Sequence, residues 1–497
     1  MPLQQKAIII GSGVAGLATA IRLAVLGLQV TVFEKNSYPG GKLSSIQQDG
    51  FYFDAGPSLF IQPSNIEELF LLAGEPIEKY FTYRPVAIAC RYFYEDGTVI
   101  NAYTNKQDFA EELQAKTGEA PERLYNYLSR SEKLYQNTGA FFLQHSLHKA
   151  GTLLSPGIVK ALYAVQKKYL LNNLNQVNSH AFSQPHVVQL FNRYATYNGS
   201  NPYKAPGMLS LIPHLEHNEG VFYPEGGMIS ITNALYKLAL KKGVTFQFNT
   251  AVEKIMISNN HVQGVSTPTG NHDADIVVSN MDVYFTYKEL LKNSATAARL
   301  LKQERSSSAL IFYWGMAREF PQLDLHNIFF SADYQAEFEH LFRYKTLYHD
   351  PTVYINITSK YQPAQHAPQG MENWFVMINV PANNGQNWQQ LKADARQYVL
   401  SKLSRLLQTS LQPLIETEAI LDPIMIEDRT SSFMGALYGT SSNSRYAAFL
   451  RHPNFSKTIK GLYFAGGSVH PGGGIPLCLK SAAIVSNLIA AHTRQHN

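Results

Sequence analysis

The stretch KAIIIGSGVAGLATAIRLAVLGLQVTVFEK, from Lys6 to Lys35, constrains the fold more than any other part of the sequence. A β-branched run leads to Gly11. Gly13 and Gly16 follow, then a helical pattern that stops near Gly27, then a second β-branched run that closes on Glu34. Strand, glycine turn, helix and strand at this spacing make a βαβ unit, the core of an α/β fold. Gly11 permits the tight turn, Gly13 lets a pyrophosphate approach the backbone, and Gly16 lets the helix pack on the strand. Glu34 falls eighteen residues after Gly16, where a carboxylate accepts hydrogen bonds from ribose hydroxyls and repels a 2′-phosphate. Ala15 in the first helical turn and Lys35 beside the acid complete the N-terminal candidate set. The motif specifies a dinucleotide without choosing between NAD and FAD.

Several classes of function are disfavoured by what accompanies the motif. The 497 residues exceed one ordinary core, so two domains or one large discontinuous assembly are expected. A net charge of +5 without a Lys/Arg block does not suit nucleic acid. Cys90 and Cys478 form no CxxC, and no histidine cluster has metal-ligand spacing, so a reducing compartment and no metal are expected. Ala7 to Phe33 is apolar, but Arg22 and the glycines interrupt it and no small-residue cleavage pattern follows, against a signal peptide. No stretch of about twenty apolar residues suits a membrane-spanning helix. Residues 461–479 are uncharged, yet glycines and prolines break them. No Ser/His/Asp set or paired-carboxylate spacing calls for hydrolytic chemistry, which leaves the cofactor as catalyst. The single GxGxxG disfavours a separately bound nicotinamide, so electrons are expected to leave towards oxygen or a quinone.

Two further glycine-rich runs bear on the cofactor. PGGKLSSIQQDGFYFDAGPSLF supplies Gly41 and Lys42, then Gly56, Pro57 and Ser58. GLYFAGGSVHPGGGIPLCLKSA supplies a strand, a glycine-lined turn and a helix from about Leu477 whose free N–H groups face a bound group. Its contacts are Gly466, Gly467, Ser468, Gly474 and Pro476. The first run resembles the loop beside the cofactor in the flavin-dependent amine oxidase and carotenoid desaturase superfamily, with Lys42 where Arg is usual. A planar fork thereby becomes a point charge. The second resembles the THPG-type signature of bacterial carotenoid desaturases, and NGSNPYKAPGMLSLIPHLEHNEGVFYPEGGM resembles their central segment. The resemblance implies FAD, and it implies that residues 220–290 return to the cofactor domain with Val252 near the adenine. The expected architecture is a discontinuous Rossmann-type FAD domain (1–80, 220–290 and 431–497) with an inserted α+β substrate domain (81–219 and 291–430). That insert holds a mixed sheet and a membrane-facing helical part. Within the family, AGGSVHPGGGIPLCLKSAAI, DPTVYINITSK and ENWFVMINVP look most like the branch acting on 1-hydroxylated carotenoids at the 3,4 position. Phytoene desaturase, carotene isomerase, amine oxidase and a non-enzymatic lipid escort on the same fold are the alternatives. No catalytic side chain is assigned. His470 lies in a Gly/Pro turn that suits a structural hydrogen bond.

From Lys133 to Leu215 the chain has no acid, while Lys133, Lys149, Lys160, Lys167, Lys168, Arg193 and Lys204 make it locally basic. Within it, SPGIVKALYAVQKKYLLNNL has Ser155 to cap and Pro156 to start a helix with Ile158, Leu162, Val165 and Tyr169 on one face. A lysine-flanked apolar stripe suits either a core-facing helix or one lying on an anionic bilayer. The resemblance favours the bilayer, since carotenes dissolve there, and implies a cytoplasmic protein peripheral to the inner face of the cell membrane. SSSALIFYWGM and ENWFVMINVP suit a long apolar tunnel and a sheet core equally.

Overall fold

The computed structural model describes residues 5–139, 142, 143, 145, 146, 148, 149, 167–444 and 451–494. The helix expected after Ser155 lies outside the described residues except for its end, Lys167–Leu171.

The strand β1 (Lys6–Ile10), the helix α1 (Val14–Val25) and the strand β2 (Gln29–Phe33) follow the glycine spacing. Both strands belong to a five-stranded parallel sheet ordered Leu462–Phe464, Ile276–Ser279, β1, β2, Thr245–Gln247. Ile9 stands level with Val278 on one side and Val32 on the other. The β-branched runs are continuous because such a sheet is buried on both faces. On one face α1 packs against the helices Ile229–Lys241 and Ile475–Arg494, closing Leu17, Ala18 and Ile21 against Leu235, Leu238, Ala482 and Val485. Each of the large apolar side chains buried there contributes about 1.5–3 kcal/mol.

The last helix corrects one expectation. Residues 475–492 are long and apolar enough to cross a membrane by length and composition. The glycines that seemed to interrupt this stretch end at Gly474, and the helix begins immediately afterwards. Its Leu479, Ala482, Val485 and Ile489 are buried in the core beside α1, so here it serves as an interior helix.

A second sheet has seven strands, ordered Ile415–Leu421, Ser308–Met316, Glu372–Val380, Val353–Asn356, His326–Phe329, Ile88–Phe93, Val99–Tyr103. It is mixed: His326–Phe329 runs parallel to Ile88–Phe93, and the remaining neighbours are antiparallel. SSSALIFYWGM and ENWFVMINVP are thus paired strands, with Trp314 opposite Trp374. Strand alternation gives the sheet two unlike faces. One carries Leu310, Phe312, Trp374, Val376 and Ile378 and is sealed by the helix Trp388–Leu406. The other has two cross-strand rows: Ile311, Met377, Tyr354, Ile328 and Tyr92, then Tyr313, Phe375, Asn356 and His326. Phe51 and Phe53 cover one end of that face, and the helices between Leu174 and His217 cover the other. Tyr354 packs against both coverings, and it and Met377 stay half-buried although their strands are central. These two side chains mark an incompletely covered strip, a groove in the covering, along this face where the two coverings meet.

Candidate active site

Most of the sequence-predicted residues converge at the carboxyl ends of β1, Ile276–Ser279 and Leu462–Phe464, where ligands bind in open α/β sheets. Gly11 has φ +94° and donates its N–H to the Phe33 carbonyl at 2.8 Å. A Cβ on Gly13 would stand 2.7 Å from Asn280 Oδ1, and one on Gly16 would stand 2.2 Å from the Gly11 carbonyl. Ala15 is buried beside them. The second glycine loop lies against the first: Gly40 N–H donates to the Ser12 carbonyl at 2.9 Å, and Gly41 faces Gly13. Gly56 backs onto Lys42, whose carbonyl oxygen a Cβ would meet at 2.0 Å. At the C-terminal run a Cβ on Gly466 would reach Asn280 Nδ2 at 2.6 Å, and Gly467 abuts Gly473. Ser468 Oγ accepts from the Val283 N–H at 3.0 Å, and Pro476 sits in the first turn of the last helix. Gly474, at φ +103°, has open space where a Cβ would be.

Glu34 ends β2 with its carboxylate turned back to the loop. One oxygen accepts from Ser12 N–H and Oγ–H, both at 2.8 Å, and the other accepts from the Asn36 N–H and side-chain amide. Val252 packs with Ile8, Ile10 and Phe33 under this corner. Lys35 is spent elsewhere: its ammonium donates to the Asp428 carbonyl and Ser431 Oγ, tying β2 to the end of the helix Pro423–Thr430. Pro57 and Ser58 continue from Gly56 towards the seven-stranded sheet, and Ser58 Oγ meets Tyr354 Oη at 2.8 Å.

Asn280 is the residue that sequence reading missed. Its N–H donates to the Ile10 carbonyl and its side-chain amide donates to the Ala465 carbonyl, both at 2.8 Å, so it binds both neighbouring strand ends. The signal was its place directly after IVVS, at the carboxyl end of a parallel strand. Two arginines were missed for another reason, since nothing in their local sequence marks them. Arg305 and Arg451 are buried, with 7% and 4% exposure. Burial pushes Lys42 and Arg305 below their usual ranges against the pull of Asp282, and burial and Arg305 push Arg451 to about 10. Lys42 donates to the Leu437 carbonyl and Arg451 to the Tyr438 carbonyl. Arg305 Nε and Nη2 have no partner among the described residues. Two buried arginines and the half-buried Lys42 around bare backbone, with Asp282 as their acidic neighbour, are left with unmatched positive charge, which is costly in a low-dielectric site. A diphosphate would match it, so these residues fit a flavin dinucleotide. His470 is a structural residue, as its turn suggested: its Nε2–H donates to the His145 carbonyl at 2.9 Å, and burial holds the ring neutral, with a pKa near 4.

Comparison with known proteins agrees with this geometry. Residues 14–490 match the family of flavin containing amine oxidoreductases. A 1-hydroxycarotenoid 3,4-desaturase of Flavobacterium sp. (strain P99-3) is 54% identical over 98% of this chain and 99% of its own. A 4,4'-diaponeurosporene oxygenase of Staphylococcus aureus (strain bovine RF122 / ET3-1) is 33% identical over 97% of this chain and 98% of its own. Among solved structures, an oxidoreductase from Methanosarcina mazei superposes with a TM-score of 0.63 over 98% of this chain and all of its own, at 17% identity, which speaks to fold alone. With glycine loops, acid and buried cations gathered at one sheet edge, and with both the family match and the desaturase likeness running nearly end to end, the chain belongs to the flavin containing amine oxidoreductase family.

Proposed function

We propose that this protein is an FAD-dependent carotenoid desaturase that introduces the 3,4 double bond into a 1-hydroxylated carotenoid. The observation that carries this reading is the 54% identity, nearly end to end, to a desaturase of that specificity. The site supports it. Gly11, Gly13, Gly16, Gly41, Gly466, Gly467 and Gly474 would offer backbone to FAD, Glu34 would hold its ribose, and Lys42, Arg305 and Arg451 would neutralise its diphosphate. When bound, the flavin would supply a two-electron sink for a hydride from one carbon while a proton leaves the adjacent carbon, with oxygen or a quinone as the final electron acceptor.

What the chain contributes is placement and dryness. The groove along Ile311, Met377, Tyr354 and Ile328 would take an extended apolar chain, and its neighbours Phe375 and Tyr313 exclude water. Ala55 and Ser58 tie that sheet to the cofactor loops through Tyr313 and Tyr354. The polyene's free end would then be fixed relative to the flavin. Because such substrates reside in lipid, the protein is expected, on this reading, at the inner face of the cell membrane, on its cytoplasmic side.

Purified enzyme would be given phytoene and a 1-hydroxylated carotene in liposomes, with products followed by mass and absorption. Loss of one hydrogen pair with a red shift, from the hydroxylated substrate, is the expected result. Several desaturations of phytoene would move the assignment to phytoene desaturase, and a spectral shift without mass loss would move it to an isomerase. Gain of oxygen would move it towards the oxygenase relatives.

A further inference from the structure

A hydrogen-bonded chain crosses the groove face where the two coverings meet. Ser58 Oγ and Tyr354 Oη are 2.8 Å apart, Tyr354 Oη and His326 Nδ1 are 2.8 Å apart, and Asn356 Nδ2 lies 3.2 Å from the same ring nitrogen. Register explains the grouping: His326 stands opposite Asn356, and Ile328 stands opposite Tyr354. Asn356 and His326 are 2% exposed, whereas Ser58 and Tyr354 are half-buried. The buried end is closed and the Ser58 end faces the groove.

The direction of the chain follows from its buried end. Asn356 Nδ2 also donates to the Leu325 carbonyl at 3.0 Å, which fixes the amide orientation, so a donor faces His326 Nδ1. With both neighbours of Nδ1 able to donate, Nδ1 accepts, its one lone pair shared between Tyr354 Oη–H at 2.8 Å and the longer contact from Asn356, and the ring hydrogen sits on Nε2, which has no partner among the described residues. Burial favours the neutral ring, with a pKa of about 4. With Nδ1 accepting, Tyr354 Oη–H donates to it, Tyr354 Oη accepts from Ser58 Oγ–H, and the Ser58 oxygen is left with its lone pairs. Tyr354 is the partner of Ser58 Oγ among the described residues. The chain thus presents the Ser58 oxygen as an acceptor at its half-buried end, beside the apolar side chains of the sheet face.

Resting on the desaturase reading, we propose that Ser58 Oγ, oriented by Tyr354 and His326, accepts a hydrogen bond from the substrate's tertiary 1-hydroxyl and is the specificity determinant for hydroxylated carotenoids. Chain geometry supports the location. The hydroxyl oxygen is joined to C3 through C1 and C2, so it lies within about 4–5 Å of the reacting carbons. Its partner must therefore stand beside the cofactor loops. Ser58 does: it is two residues from Gly56, whose Cα is pressed against Lys42. A substrate without the hydroxyl leaves the acceptor unmatched in an apolar groove, a penalty that discriminates strongly against it. The orientation also excludes an ether, which has no hydrogen to donate. His326 acts through Tyr354 and is a positioning residue.

The test compares 1-hydroxylated, 1-methoxylated and unsubstituted carotenes of equal length as substrates for the parent enzyme, Ser58→Ala and Tyr354→Phe, with flavin content and Tm checked first. In the parent, kcat/KM should favour the hydroxylated over the methoxylated and unsubstituted carotenes by at least about tenfold. Both variants should lower that ratio about tenfold, and a loss of fold alone would depress all three substrates together without changing it. A parent that desaturates the hydroxylated and unsubstituted carotenes equally well overturns this inference and leaves the desaturase reading standing. A parent that prefers the methoxylated carotene, or variants with the parental ratio, also overturn it. A parent inactive on the hydroxylated carotene overturns the reading and the inference together.

Discussion

Gly474 and Gly16 are both bare positions of the proposed cofactor site, yet substitution should have opposite consequences. A Cβ on Gly16 collides with the Gly11 carbonyl at 2.2 Å, so Gly16→Ala should reduce soluble folded protein outright. Around Gly474 there is open space, so Gly474→Leu should fold with a modest backbone penalty from φ +103° and lose flavin if, as proposed, that space takes the cofactor. Glu34→Arg should also lose flavin, since it removes the ribose acceptor and breaks the two charge-assisted bonds from Ser12, worth about 1.5–3 kcal/mol each. Flavin absorbance per protein after dialysis checks these expectations, and full retention by both Gly474→Leu and Glu34→Arg would remove these two residues from the cofactor site. Asp54 offers a test by pH. Burial raises its carboxyl to about 6, against N–H donation from Met228 and Ile229 and a hydrogen bond from Tyr52. A folded-state pKa above the unfolded value stabilises the fold below about pH 4, and that contribution is lost as pH rises through about 6, to the extent of about 3 kcal/mol. Asp54→Asn removes the titrating proton and keeps one uncharged oxygen for the Met228 N–H, so its Tm should fall less than the parent's between about pH 4 and about pH 7. Parallel Tm profiles would show that Asp54 titrates as an ordinary carboxyl.

At the scale of elements, the joint between the cofactor loops and the seven-stranded sheet rests on Gly315. A Cβ there would meet the Phe51 ring at 2.6 Å, in the strand Ser308–Met316. Gly315→Ala should therefore displace Phe51 and cost about 1–3 kcal/mol of stability, and Phe51→Leu should recover part of that loss in a double-mutant cycle. Additive Tm changes would mean that the two do not share the space. No such contact was legible in the sequence, because it joins residues 51 and 315 through tertiary packing. What was legible had local causes. The βαβ unit was set by glycine spacing, and the helix Ile229–Lys241 was stopped by Gly243, at φ +82°. The paired strands Ser308–Met316 and Glu372–Val380 stayed ambiguous between tunnel and core because alternation gives them two faces of similar apolar composition: one seals on the helix Trp388–Leu406, and the other carries the half-buried Met377. Lys42 and Glu34 were found through their motifs, whereas Arg305, Arg451 and Asn280 join the site only after distant strands align.

For the whole molecule, the problem is delivery of a substrate that does not dissolve in water to a groove walled by protein. The helices between Leu174 and His217 that cover one end of that groove fall largely in the acid-free stretch, and Leu170 and Leu171, 36% and 60% exposed, precede them. Exposed leucines in a stretch that carries lysines and no acids supply the two ingredients of interfacial binding, one by burial in the acyl boundary and the other by attraction to anionic headgroups. The two respond differently to salt. Replacing Lys160, Lys167 and Lys168 with Glu should reduce sedimentation with phosphatidylserine-containing vesicles by about 100-fold or more in partition coefficient at low salt, at about 1 kcal/mol for each lysine lost. The difference should shrink as the Debye length falls from about 10 Å at 0.1 M salt to about 3 Å at 1 M. Leu171→Ser should instead weaken binding by a factor that salt leaves nearly unchanged, because the apolar contribution is not screened. If the parent fails to sediment with vesicles at any salt, the basic stretch is an ordinary solvated face and the substrate must reach the groove by another route. If the parent sediments but the lysine variant matches it at low salt, attachment is apolar and the cluster of exposed leucines carries it.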